Sequence, residues 1–193
     1  MFQSTIDKEE LKKLPLQAFP GTIHVVDSMA GLKKYLPVLK QEKVIGFDTE
    51  TRPTFKKGQV NQISLVQIAT TFHAFLFRIS ALNLPDMLIE FFEDDSIIKV
   101  GAALHDDLID LKRIRDFKAG GFLDLQKYVE AFGIENKGVA KLAGIVLGFR
   151  ISKNQQLSNW DAEKLNTAQK AYAAMDAWVC LKIYQELQTY QIK

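Results

Sequence analysis

The chain is 193 residues long, with 47% hydrophobic and 25% charged residues, which suits one domain with a sizeable core and no dependence on staples. Its 11 glycines and 5 prolines form no repeat, excluding collagen-like, low-complexity and disordered classes. Lysine plus arginine (25) nearly balance aspartate plus glutamate (23), so any polyanion must be met by local patches and not by net charge. The one cysteine, Cys180, excludes an internal disulfide and a multi-cysteine zinc site, and it fits a reducing compartment, the cytoplasm being the simplest assignment. The first twenty residues are mixed and charged and lack the apolar centre of a signal peptide. No run approaches the roughly 20 apolar residues of a spanning helix, so no membrane association is expected.

In chain order, residues 1–20 read as a polar lead segment and 21–193 as a single domain. Thr22 to Val26 is a short β-prone run, and Ser28 is placed to cap a helix from Met29 to Lys40 that Pro37 interrupts. Val44, Ile45 and Phe47 lead a strand into Asp48, Thr49 and Glu50, and Pro53 and Gly58 mark the loop that follows. Gln62 to Ala69 and His73 to Ile79 predict two strands joined by a tight turn, hence antiparallel neighbours. Leu84 to Phe92 predicts a helix with Pro85 in its first turn. Ile97 to Ala103 predicts a buried strand feeding the helical pattern LHDDLIDLKRI. Leu123 to Phe132 and Val139 to Leu147 carry helical spacing closed by Gly133 and Gly148. A polar loop from Arg150 to Asn159 precedes a long final helix, about Thr167 to Tyr190. Early strands followed by strand-helix units give one α/β domain around a mixed sheet.

Three groups of acids carry the chemistry. In a strand, residues two apart share a face, so Asp48 and Glu50 project together. They repel unless a cation lies between them, and a hard divalent ion such as Mg²⁺ or Mn²⁺ suits oxygen ligands; a solvated strand end is the alternative. On the helical wheel of LHDDLIDLKRI, Leu104, Leu108, Leu111 and Ile114 form one stripe, and Asp107 lies at its edge, nearer the core than Asp106 or Asp110. His105 falls between the faces and reads as surface. On the last helix Tyr172, Asp176, Val179 and Ile183 share the core-facing stripe. A carboxylate buried there requires an arginine or a metal.

FDTET, then GAALHDDLIDL, then YAAMD, together with QISLVQIA, GVAKLAGIVLG and Ser158-Asn159-Trp160, strongly resemble the tyrosine-bearing DEDD exonucleases, specifically the ribonuclease D and Werner-type 3′-5′ exonuclease domains. The resemblance implies a ribonuclease H-like three-layer α/β fold, with a mixed central sheet flanked by helices. It implies a two-metal phosphodiester hydrolase that removes nucleoside 5′-monophosphates from the 3′ end of DNA or RNA. On the matching positions, Asp48 bridges two Mg²⁺ or Mn²⁺ ions, Glu50 and Asp176 complete the nucleophile-side ion, and Asp107 holds the other. Tyr172 orients the attacking water, since a phenol with a pKa near 10 is a poor base at neutral pH. Arg52, Lys56, Lys57 and Lys153 are candidate phosphate contacts, with Phe55 a possible stacking platform. The implied partner is nucleic acid with a free 3′ end, single-stranded or recessed; no obligate protein partner is inferred. Where family members often carry arginine and proline after Trp160, this chain reads DAEKLNTAQ. An aspartate-based phosphatase would need a second aspartate where Glu50 stands. A catalytically silent binding module of the same fold is the alternative reading.

Overall fold

The computed structural model describes residues 2–52 and 62–190. Its strands are β1 (Thr22–Val26), β2 (Val44–Thr51), β3 (Ile63–Ala69), β4 (His73–Arg78), β5 (Ile98–Gly101) and β6 (Phe122–Asp124). They form one sheet in the order β1-β4-β3-β2-β5-β6. β3 runs antiparallel to both neighbours, and the other pairings are parallel, so β2 and β5 end at the same edge.

The helices are α1 (Lys8–Lys13), α2 (Met29–Leu39), α3 (Ile79–Leu82), α4 (Asp86–Glu93), α5 (Leu104–Ile114), α6 (Leu125–Tyr128), α7 (Val139–Leu142) and α8 (Thr167–Gln188). α6 passes into a 3₁₀ turn (Val129–Phe132) and α7 into a π turn (Ala143–Leu147). On one face of the sheet, Phe47, Val66, Phe75 and Phe77 pack with Leu32, Leu36, Leu88, Phe92 and Leu111 from α2, α4 and α5. On the other, Ala69, Ala74 and Val100 pack with Leu125, Leu142, Ala174 and Val179 from α6, α7 and α8. No described helix is long and apolar enough to cross a membrane.

Several expectations are corrected. The lead segment holds α1, started by a capping box in which Asp7 and Glu10 satisfy each other's backbone N–H. The lead is pinned to the rest of the chain, Ser4 accepting from Glu135 N and Arg150 N donating to Pro15 O, both over 2.8–2.9 Å. Pro37 does not break α2, because it lies in the last turn and the helix ends two residues later. The helix predicted from Leu84 starts at Asp86, with Pro85 as its N-cap. The segment predicted as a helix from Leu123 begins instead as strand β6, whose pairing with β5 claims the backbone of Phe122 to Asp124.

Lys99, in the middle of β5, is fully buried. Its ammonium donates to the carbonyls of Ile97 (3.1 Å), Gly120 (3.0 Å) and Asp94, so every proton finds an acceptor without a counter-ion.

Candidate active site

Strand alternation and one missing side chain build the site. Ile45 and Phe47 face the α2/α4/α5 layer, so Gly46, Asp48 and Glu50 face α8. A Cβ at Gly46 would lie 1.8 Å from the carbonyl oxygen of Ala177, so only glycine lets α8 lie this close to β2. That approach brings Asp176 to the strand: carboxylate oxygens of Asp48, Glu50 and Asp176 all lie within 4.8 Å of one another. Among the described residues other than Arg52, no lysine or arginine pairs with the three within 4.0 Å.

Asp107 arrives from the opposite layer. Thr49 points away from Asp48 and Glu50, and its hydroxyl donates to Asp107 Oδ1, so this acid is tied to the strand end without joining the three. Its helix is set by Asp124, which sequence reasoning missed: the carboxylate accepts from Ala103 N and Leu104 N, each at 3.1 Å. Those bonds hold Ala103 at φ 59°, a left-handed conformation that a non-glycine residue adopts only when its surroundings enforce it. The only sequence trace of this device is an aspartate at the end of β6.

Tyr172 stands one turn before Asp176, and its hydroxyl pulls the pKa of that carboxylate down. Its ring lies 5.9 Å from that of Trp160, which is fully buried. The divergent loop after Trp160 is fastened by Arg78, donating to Ala162 O at 2.7 Å and Glu163 O at 3.3 Å. Gln169 Nε2 adds a bond to Asn159 O at 3.1 Å.

A cavity of about 300 Å³ opens over the acids, lined also by Ile151, Lys153, Gln156, Tyr172 and Cys180. Among the described residues, Lys153 is the one candidate cation placed there, and its charge acts on Asp176. Arg52 directly follows β2, is exposed and does not line the cavity. Lys56, Lys57 and Phe55 lie outside the described residues. Gln156 and Cys180 also line the cavity, and neither is among the site residues expected from the sequence.

Burial and mutual repulsion set the electrostatics. Desolvation, then the charges of Asp176, Glu50 and Asp107, push Asp48 well above the carboxylate range. Desolvation, Asp176 and Asp107 push Glu50 up to about 8. Burial raises Asp176 to about 7 against the pull of Tyr172 and Lys153, and raises Asp107 to about 6 against the Thr49 bond. The same burial, with Asp176 and Glu50 beside it, raises the Tyr172 phenol and keeps it protonated.

Values raised in the folded state mean that the fold prefers these acids protonated. Their contribution to stability is fully present below about pH 4 and is lost as pH rises through the folded values. The metal-free Tm is therefore expected to fall between about pH 5 and about pH 8.5, with a shallower slope in Glu50→Gln. Added Mn²⁺ is expected to restore more of it at the alkaline end. A Tm in the metal-free protein that is flat across this window, checked by calorimetry, would contradict crowded, desolvated carboxylates.

The chain matches the 3′-5′ exonuclease family over residues 23–190. It is 31% identical over 190 residues to the bifunctional 3′-5′ exonuclease/ATP-dependent helicase WRN of Mus musculus, a match covering 90% of this chain and 13% of that protein. It is 29% identical over 191 residues to the exonuclease mut-7 homolog of Aedes aegypti, covering 86% of this chain and 26% of the relative. Thus it spans well under half of either protein. The crystal structure of the Aedes aegypti Nibbler EXO domain superposes with a TM-score of 0.76 at 26% identity, covering 97% of this chain and 92% of that one. Trypanosoma brucei RNase D, solved in complex with RNA U12, superposes with a TM-score of 0.79 at 25% identity, covering 90% and 64%. Three helix-sheet-helix layers with an acid cluster at one sheet edge define a ribonuclease H-like exonuclease domain. The chain belongs to the DEDDy 3′-5′ exonuclease family.

Proposed function

We propose that this chain is a metal-dependent 3′-5′ exonuclease that hydrolyses phosphodiester bonds from the 3′ end of DNA or RNA and releases nucleoside 5′-monophosphates. The observation that carries the reading is the cluster of Asp48, Glu50 and Asp176, three oxygen donors within 4.8 Å of one another at the floor of a cavity. Its donor set fits a hard divalent cation, because only added positive charge lets all three ionise together. Asp48, Glu50 and Asp176, with Asp107 beside them, would hold two ions, Mg²⁺ or Mn²⁺. When bound, such ions acidify an attacking water and neutralise charge on the departing 3′ oxygen.

The remaining work belongs to the chain's own groups. Tyr172 holds its proton, so it acts as a hydrogen-bond donor that positions the water and not as its base. Lys153, at the cavity wall, supplies a positive charge for the scissile phosphate. Arg52, beyond the acidic strand end, and Lys56 and Lys57 further along the chain are proposed contacts to the strand's other phosphates. The buried single thiol, Cys180, is consistent with a reducing, cytoplasmic setting.

The test is a time course on 5′-labelled single-stranded DNA, single-stranded RNA and a duplex with a recessed 3′ end, with Mg²⁺, Mn²⁺ or EDTA. Stepwise shortening from the 3′ end in either ion and none in EDTA is expected. Full-length label on every substrate, with retention of the nucleic acid in a binding assay, would favour the silent binding module. Tyr172→Phe is expected to lower kcat about 10²–10⁴-fold while leaving the KM for the oligonucleotide within a few-fold. Wild-type turnover in this variant would remove the tyrosine from the site.

A further inference from the structure

Gln67 lies in the middle of β3, directly opposite Asp48 on β2. It is fully buried, and neither Oε1 nor Nε2 has a hydrogen-bond partner among the described residues. Directly opposite residues project from the same face of a sheet, so Gln67 shares the α8 face with Asp48, amid Leu65, Ala69 and Leu76. A dry, unpaired carboxamide opposes folding, and a methionine or leucine would fill this apolar site without that penalty. Packing therefore gives no reason for a glutamine here. Its neighbour does, since opposite Cβ atoms stand roughly 4.5–5.5 Å apart and a glutamine side chain spans that gap to a carboxylate.

We propose that Gln67 is a positioning residue for Asp48: with a cation at the site, Gln67 Nε2–H donates to the Asp48 carboxylate and fixes the rotamer in which the acid meets Glu50 and Asp176. The inference rests on the reading of the cluster as a cation site. A carboxylate held by one neutral donor keeps its full charge for the cation, whereas a lysine or arginine at position 67 would compete with the cation for the same oxygens.

The experiment compares wild type with Gln67→Met and Gln67→Leu by three readouts: the metal-free Tm, the Mn²⁺ concentration at half-maximal Tm gain, and 3′-end cleavage. Both variants are expected to match or exceed the wild-type metal-free Tm. Their Mn²⁺ midpoint is expected to rise about 10–100-fold, with kcat falling and the KM for the oligonucleotide unchanged. A wild-type Mn²⁺ midpoint and kcat in both variants would overturn the proposal, as would a lower metal-free Tm in both, because the amide would then be serving the fold. If wild type itself neither gains Tm with Mn²⁺ nor cuts, the cation-site reading fails and the role of Gln67 with it. If only the variants' expected losses are missing, the site stands and Gln67 does not act in it.

Discussion

Asp48→Asn and Asp176→Ala are each expected to lower 3′-end cleavage by at least about a thousandfold, more than the 10–100-fold that typically follows loss of an outer partner at a metal site. Both are expected to raise the metal-free Tm above wild type. The two effects share one cause. Asp48, Glu50 and Asp176 are held within 4.8 Å in a desolvated setting, where each charge repels the others. Removing one charge relieves the metal-free fold and deprives a cation of a ligand. Single-turnover cleavage and calorimetry on the same preparations check the pairing. Undiminished turnover in Asp176→Ala would take that residue out of the chemistry, and a fall in the metal-free Tm of both variants would mean the acids are not in conflict.

Gly46→Ala is expected to damage the protein through geometry alone. The added Cβ would meet the Ala177 carbonyl oxygen at 1.8 Å, with Leu181 Cβ at 3.2 Å behind it, and backbone cannot swing aside as a flexible side chain does. Overpacking of this kind destabilises by about 1–3 kcal/mol, occasionally more. The helix that must yield carries both Tyr172 and Asp176, so the loss of cleavage should exceed what the unfolded fraction explains. Cleavage at a temperature where circular dichroism shows the variant fully folded separates the two contributions. Wild-type kcat under that condition would show that the site tolerates a shifted α8.

Much of this arrangement was legible in the sequence where a short-range pattern determines it. Asp48 and Glu50 share a face because strands alternate, and Tyr172 and Asp176 stack because helices repeat nearly every four residues. Asp107 was separated from Asp106 and Asp110 by helical phase, and it is the acid that reaches Thr49. What sequence reading missed depends on partners distant in the chain. β6 is three residues long and exists only through pairing with β5. Asp124 acts on Ala103 and Leu104 from 20 or 21 residues away. The orphaned amide of Gln67 is visible only once β3 is known to be buried on both faces. Lys99 lies inside a strand that the sequence reads as buried, and its place there becomes intelligible only when three carbonyls converge on its ammonium.

The close seat of α8 on Gly46 also imposes an order of assembly. During synthesis from the N-terminus, β2 and α5 leave the ribosome before α8, and Asp176 and Tyr172 can take their places only after residues 167–188 have emerged. Until then Asp48 and Glu50 lack their third acid, and the nascent chain is spared most of the crowding of negative charge that the folded protein carries. The cluster is therefore completed only when α8 docks, and a chain that stops short of residue 167 carries the two strand acids without it.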